Sequence, residues 1–556
     1  MQNRANGMAS SDGPETEAAG KPAGPFASPL YRMVWFGFSL SSFGTVVQGV
    51  GAAWLMTAIT QNPTWPALVQ ASTTLPIMLF SIVAGALADN YERRNIMLVA
   101  QLLMFSASVA LVALELAGGN TPLTLLAITF LLGCGTALHN PAWQASVGDL
   151  VPRETIPAAV ALNSVTFNVA RSIGPAVGGF VVAAGGAVAA FAINAVSYLG
   201  LIGALVRMPR LQPPDTLPRE QLGAAITTGL RYVFMSPNIE VILLRGALFG
   251  FSAIGAQALL PVVARDSLQA GPLVYGLLLG GFGVGAVIGG TFGRLLRDRL
   301  SSEWFVRICM VAFAAGTVLL SVAETVLATL PALVVLGATW LLALTYFNVA
   351  VQLSCPRWVV ARALAAYQTA VFGGMALGAW LWGAAAERYG IPVALQLSGL
   401  AMLASAATGL VWAIPSATRS NLDPVNLWKQ PQIAFDLQQR SGPIVISIEY
   451  LIDQRDIGEF LKAMTQRRRI RRRNGAIEWT LMRDLERSDL WVESFKLSNW
   501  VEYVRHNKRT THDDAAVAEK LRALHRGEAP PGVHRMVIRS TRPMVDDVPR
   551  NPTELS

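Results

Sequence analysis

Apolar residues in this chain fall into about twelve long runs separated by short polar connections, the pattern of helices that have lipid as their solvent. A spanning helix needs roughly 20 apolar residues at about 1.5 Å rise each. The runs lie near 31–59, 65–88, 95–117, 122–147, 157–183, 187–206, 239–263, 272–296, 303–324, 329–353, 363–386 and 391–413. The first does not read as a cleaved leader, being too long and preceded by a tail that carries Glu15 and Glu17.

This spacing divides the chain. Residues 1–28, rich in Gly, Ala, Pro and Ser, read as a disordered tail, 29–206 as a first six-helix half, and 239–414 as a second. In the linker loop 207–238, Leu222, Ile226, Leu230 and Val233 recur at helical spacing and predict a short amphipathic helix against the membrane surface. A shift of 200 residues superposes Ala170, Gly174 and Gly178 on Ala370, Gly374 and Gly378, and one of 205 superposes Gly85 and Arg94 on Gly290 and Arg299. Two related halves are what a transporter with a midplane site between repeats requires. Asp89, however, faces Arg294, so the carboxylate belongs to the first half alone.

Beyond Pro415 the pattern turns charged and polar. A linker, 415–442, leads to strand, helix (453–469), two strands, helix (499–524) and strand within 443–545, followed by a tail, 546–556. The order β-α-β-β-α-β predicts a ferredoxin-like domain. The fold class is therefore an all-α membrane bundle of twelve transmembrane helices in two six-helix halves, plus a C-terminal α+β domain.

Composition agrees: the chain is 53% hydrophobic and only 14% charged over 556 residues, with a mean hydropathy of +0.43. Arg93, Arg94, Arg153, Arg207, Arg210, Arg219, Arg231, Arg297, Arg299, Arg357 and Arg362 follow even-numbered runs, whereas connections after odd runs are nearly bare. That bias predicts a multi-pass protein of the inner membrane with both termini cytoplasmic. The net charge of +9 is thus mostly topology, and its dispersal over loops argues against nucleic acid as a partner. Cys134, Cys309 and Cys355 lie in or beside apolar runs without ligand spacing, so neither a disulfide nor a metal is expected. Nor does the sequence call for a cofactor or a catalytic residue in the bundle.

Two motifs carry mechanism. GALADNYERR, Gly85 to Arg94, closes the second run. It resembles the loop signature of major facilitator transporters at Gly85, Leu87, Asp89, Arg93 and Arg94, with Asn90 and Glu92 as departures. The resemblance implies that Asp89 meets the start of span 11, near Arg362 and Ala363, and helps lock the cytoplasmic side; a carboxylate there suits the positive end of a helix. The plainer alternative is a positive-inside loop. ARSIGPAVGG, Ala170 to Gly179, resembles the span 5 signature of exporters and antiporters. In it Gly174, Gly178 and Gly179 allow close helix approach and Pro175 permits bending, although small-residue packing alone is the competing account. The segments IEYLID, IEWTLMRDL and SNWVEYVRHNKRTTHDD resemble the cytoplasmic extension of the branch related to enterobactin exporters, the transmembrane secretion effectors, and more faintly the small α+β monooxygenases of antibiotic biosynthesis.

Polar side chains at mid-span are candidate substrate contacts, namely Gln48, His139, Asn140, Asn168, Arg171, Gln257 and Asn348, because unsatisfied polar groups are costly in lipid. Helix-to-helix hydrogen bonding competes for each. Trp54, Trp143, Trp340 and Tyr346 are aromatic neighbours for a bulky ligand or interfacial anchors. Thr129 replaces the Arg that proton-coupled drug antiporters carry in span 4, and no span holds a mid-depth carboxylate, leaving Arg171 and His139 as stand-ins for handling a coupling proton. The Arg467 to Arg473 run suggests a contact with anionic lipid or a solvated helix end. No Walker motif is present, which argues against an ATP-driven pump. The expectation is a secondary active exporter of a siderophore, drug or other secondary metabolite, working by alternating access and not an enzyme. The alternative is a transporter fused to a cofactor-free monooxygenase-like domain, with His506, His512 and Trp500 as its suggestive residues, and dimerisation through that domain is a third role for it.

Overall fold

The computed structural model describes residues 24–152, 155–209, 222–297, 299–356, 358–414 and 441–539, with positions 425, 431 and 433 between the last two stretches. Helices α1 (Pro29–Ile59), α2 (Thr64–Asn90), α3 (Arg93–Leu116), α4 (Pro122–Leu150) and α5 (Ile156–Arg207) form the first half. Local chemistry sets their starts. Ser28 accepts the amide of Tyr31 ahead of Pro29, and Thr121 and Thr124 form a reciprocal capping box ahead of Pro122. At 52 residues, α5 would reach about 78 Å if straight, far beyond one bilayer crossing. It breaks at Gly186, whose φ of 70° and ψ of −176° only glycine adopts readily, so α5 supplies spans 5 and 6.

The amphipathic helix α6 (Leu222–Phe234) buries Tyr232 and Val233 and leads into the second half. That half comprises α7 (Pro237–Val262), α8 (Pro272–Arg297), α9 (Ser302–Val322), α10 (Val326–Leu353), α11 (Val360–Tyr389) and α12 (Ile391–Ala407). Among the described residues, eleven long apolar helices, one of them double, thus give twelve spans.

The repeat seen at the 200-residue shift is structural. A Cβ on Gly174 or Gly178 would lie 2.9 Å from Val46 and 3.1 Å from Val50 of α1. On the equivalent Gly374 or Gly378 it would lie 2.2 Å from the carbonyl oxygens of Ala247 and Phe251 in α7. In both halves, small residues therefore let the fifth helix of the repeat seat against the first.

The C-terminal domain has β1 (Ile444–Leu451), α13 (Ile457–Arg473), β2 (Glu478–Arg483), β3 (Leu490–Leu497), α14 (Trp500–Lys508), α15 (His512–Leu524) and β4 (Val533–Val537). Its antiparallel sheet runs β2-β3-β1-β4, a split β-α-β topology. Ile444, Ile446, Ile448 and Tyr450 alternate onto the face covered by Phe460, Ala463 and Met464 of α13. The helix expected at 453–469 begins later, after a 3-10 turn at 454–456. The one expected at 499–524 is two helices, because Thr511 and Asp514 cap α15 reciprocally and end the first run.

The domain sits on one end of the second half, here termed the domain end. Arg473 lies 4.9 Å from the ring centre of Tyr232 in α6, and Arg509 4.3 Å from that of Trp358 before α11. Arg231 donates to the Ala476 carbonyl at 3.2 Å. Arg467 and Arg471 turn inward to Glu493, at 3.7 and 3.2 Å, while Arg468, Arg469 and Arg472 stay exposed. The basic run is therefore not simply a lipid-facing or solvated helix end: half of it builds the domain and its contact with the bundle.

Candidate central cavity

Between the halves lies a cavity of about 540 Å³, walled by α1, α2, α4, α5, α7, α10 and α11. Gln48, Arg171, Gln257 and Asn348 line it, as do Thr129 and Trp340. Thr45, Gln70, Thr73, Thr74, Thr136, Asn194, Tyr198, Tyr367 and Gln368 add to its polar wall, and its apolar wall includes Val371, Phe372 and Met375. Asn194 sits midway along the sixth span, where the criterion of polarity at depth applies to it, whereas Gln70 and Gln368 lie in the first third of α2 and α11, where it does not.

The other candidates lie elsewhere. His139 is buried, faces Gln101 at 3.3 Å and stacks on Phe38 at 6.1 Å between ring centres. Asn140 is exposed beside it and is not part of the lining. The side chain of Asn168 lies outside the described residues. Among the aromatics, Trp143 packs on Phe38 and Trp54 on Tyr275, so Trp340 alone of the four lines the cavity.

The chemistry of the lining is one-sided. Arg171 is its single ionisable basic or acidic side chain among the described residues, and its guanidinium carbon lies 5.8 Å from the centre of the Trp340 ring, across the boundary between halves. Gln48 Oε1 is taken by Ser108 and Asn194, leaving Gln48 Nε2 without a partner. Gln257 Nε2 and Trp340 Nε1 are likewise buried and unpaired. Every unpaired buried atom on this lining is thus a donor.

The two halves meet from the middle of the bundle to its far end, opposite the domain. Ser172 donates to the Gly283 carbonyl at 3.0 Å. Gly179 and Gly276 bring α5 and α8 backbone to backbone: a Cβ on either would lie 2.7 or 2.6 Å from the other's Cα. At the far end Arg265, just past α7, donates to carbonyls of Thr57, Thr60 and Gln61 at the α1 terminus, and Thr64 donates to Glu387 at 2.5 Å. Gly383 sits against Thr64 and Ala67 of α2.

At the domain end, the second-span motif acts within the first half. Arg93 pairs with Asp149 at 2.5 Å and donates to the Ala145 carbonyl at 2.9 Å. Arg94 caps the end of α5 through the Leu205 and Val206 carbonyls at 2.7 and 2.9 Å. The Asp89 side chain, and with it the expected contact near Arg362 and Ala363, lies outside the described residues. Gly85 has open space where a Cβ would stand, and Pro175 lies inside α5, where its carbonyl faces Gly276 of α8.

A model of the transmembrane secretion effector family matches residues 20–544. The chain belongs to that family of major facilitator transporters. It is 30% identical over 275 residues to the enterobactin exporter EntS of Shigella boydii serotype 4 (strain Sb227), covering 48% of this chain and 64% of that one. The EntS of Escherichia coli O1:K1 / APEC is 29% identical over 273 residues with the same coverage. The matched stretch thus spans less than two thirds of the exporters' length. Among solved structures, the POT family transporter PepTSo superposes with a TM-score of 0.57 at 11% identity, covering 70% of this chain and 98% of that one. A D-xylose-proton symporter gives 0.56 at 14%, covering 71% and 99%. An inward-facing bacterial homologue of the human lysosomal transporter Spinster gives 0.52 at 14%, covering 71% and 96%. At these identities the likeness concerns the fold of the bundle.

Proposed function

We propose that this secretion effector is a secondary active exporter that takes an acceptor-rich, anionic small molecule from the cytoplasm and releases it across the inner membrane. The carrying observation is that the buried atoms left unpaired on the lining are donors, Nε2 of Gln48 and Gln257 and Nε1 of Trp340, beside Arg171, which has no acidic partner among the described residues. A buried donor without a partner is costly unless a ligand supplies the acceptor. A siderophore or related metabolite, oxygen-rich and partly aromatic, meets that demand, and the name of the enterobactin exporters agrees with it. Trp340 and Arg171 belong to different halves, so a ligand held between them binds at the boundary about which alternating access rocks.

The Lys/Arg bias makes the domain end cytoplasmic. Contacts concentrated from the middle to the far end then correspond to a state closed toward the periplasm. Opening that seal while closing the Asp89 end would complete the cycle, driven by an ion gradient, the proton being the first to test. Gly174, Pro175 and Gly178 are the pivot in this reading, and Gly179, against Gly276, belongs to the far-end seal. His139, through Gln101 and Phe38, positions α4 in it.

The test is loss of export. Cells lacking the protein should retain a metabolite that the wild-type gene, but not an inserted Arg171→Gln variant, clears. Equal clearance by the two forms would refute the role of Arg171, and no retained metabolite in the deletion strain would refute export. His506 is buried against Arg471 and Asn474, His512 is exposed at the start of α15, and Trp500 packs on Tyr503, so these three do not converge on one reaction site. Transport alone is therefore the function proposed.

A further inference from the structure

The C-terminal domain contains a second cavity, of about 330 Å³, between the inner face of its sheet and its helices. Its wall is divided by chemistry. Ile446, Ile448 and Phe495 give an apolar floor, whereas Arg467, Arg471, Arg522 and Arg535 bring four guanidinium groups to one space. Arg471 is buried and Arg467 partly so, while Arg522 and Arg535 are exposed. One buried carboxylate, Glu493, answers them: it lies 3.2 Å from Arg471 and 3.7 Å from Arg467. Four cations against one anion leave the cavity with an excess of three positive charges.

The arginines are positioned for a guest. Arg471 spends Nε on Glu493 and donates from NH1 toward His506 Nε2 at 2.9 Å. Arg467 Nε is buried and makes no hydrogen bond. Arg535 is braced by Tyr503, whose hydroxyl accepts its Nε–H at 2.8 Å. Burial and the neighbouring Arg471 hold His506 well below its ordinary pKa, so it adds no charge of its own near neutrality. Gathering like charges around an apolar-floored space is unfavourable without a counter-anion, and guanidinium groups bind carboxylates and phosphates through paired N–H donors.

We propose that this cavity is a binding site for a small organic anion with an apolar body, and that its occupancy is transmitted to the transporter. The route is short. Arg467 and Arg471 lie on the last two turns of α13, and the same helix end carries Arg473, which contacts Tyr232 of α6, followed by the Ala476 carbonyl that Arg231 holds. A guest that pulls the two pocket arginines moves the segment that grips the bundle. The site does not depend on the central cavity; the transmission is of interest only if the bundle transports.

The experiment uses full-length purified protein in nanodiscs and an Arg171→Gln background, which removes the cation of the central cavity. Benzoate and phenyl phosphate are the anionic probes, with benzamide as the neutral control. Calorimetry should show benzoate or phenyl phosphate binding and benzamide failing to bind. Hydrogen exchange should slow in 457–473 and 518–535 and change in 222–234. Arg522→Gln and Arg535→Gln, both at exposed positions, should each weaken binding by about tenfold or more, the loss of one charge-assisted bond. No anion binding up to millimolar concentration, equal binding of benzamide, or insensitivity to both substitutions would overturn the site. Binding with protection confined to the domain would overturn the transmission. Loss of metabolite export on Arg171→Gln with these results intact would leave both readings standing, and retained export would remove only the central one.

Discussion

A methyl group added at Gly179 should push the transporter out of the closed-far-end state without unfolding it. The Cβ of Gly179→Ala would stand 2.7 Å from the Gly276 Cα and 2.7 Å from the Pro272 carbonyl oxygen. Non-bonded carbon contacts settle at about 3.5–4.0 Å, so the overlap is about 1 Å. Both obstacles are backbone, so no rotamer change relieves it, and α5 and α8 must separate. Overpacking of this kind costs about 1–3 kcal/mol, and because the contact joins the two halves, that cost falls on one conformation rather than on the fold. The far-end-open state should gain by a factor of about 5 to 150. Gly276→Ala, with its Cβ 2.6 Å from the Gly179 Cα, should act in the same direction.

Spin labels at Leu123 and Leu327, exposed at the first turns of α4 and α10, report the far-end separation across the halves. Their distance distribution should broaden toward longer values in either variant, with transport slowed because the seal no longer reforms. Gly85→Ala is the control, since nothing lies within 4 Å of its added Cβ in this state. Unchanged distances in a folded Gly179→Ala protein would refute the assignment of this contact as the seal. Broadening in Gly85→Ala of the same size would refute the steric argument.

Arg265→Ala removes the donor that holds the α1 terminus through Thr57, Thr60 and Gln61, and the same labels should show a shift to the far-end-open state worth about 1.5–3 kcal/mol. Glu303→Gln strips the counter-charge from Arg245, whose side chain is fully buried, and from Arg307. Thermal melting of the purified bundle should show a loss of about 3–5 kcal/mol. In the C-terminal domain, burial opposes ionisation of Glu493, but Arg471, Arg467 and Trp479 outweigh it and hold its carboxyl below the ordinary range, so this stabilisation is lost as pH falls. His506, held below its ordinary value by burial and Arg471, adds a loss with the same sign once pH falls below about 6.5. Exchange in the β1 and β3 peptides of the full chain should therefore be faster at pH 5.5 than at pH 7.5 after correction for intrinsic rates, and His506→Gln should reduce the difference.

The spans were legible because lipid leaves one solution to the backbone, and about 20 apolar residues announce it. Gly186 shows why a run count can succeed where a helix count does not: the chain turns without leaving helical hydrogen bonding for long, and only the Gly185–Gly186 pair and the length of the apolar stretch mark two crossings. Site residues were harder to read for a different reason. Mid-span polarity signals that a side chain needs a partner, but not which partner. Gln48 and Gln257 hold unpaired donors, and Arg171 its cation, on the cavity lining, whereas His139, bonded to Gln101 through Nδ1, lies outside that lining, and the same criterion cannot separate them before the helices are rotated into place. The basic run at 467–473 makes the point at larger scale. Its charge density suggested lipid, yet α13 has a face toward Glu493 and Asp514, two carboxylates that lie 20 or more residues further along the chain. Composition reports the charge; the helical period and the β3 pairing decide that Arg467 and Arg471, four residues apart, share the inner face while Arg468, Arg469 and Arg472 remain exposed. The densest positive stretch in the chain is thereby divided between the cavity for which an anion is proposed and the contact of the C-terminal domain with the bundle.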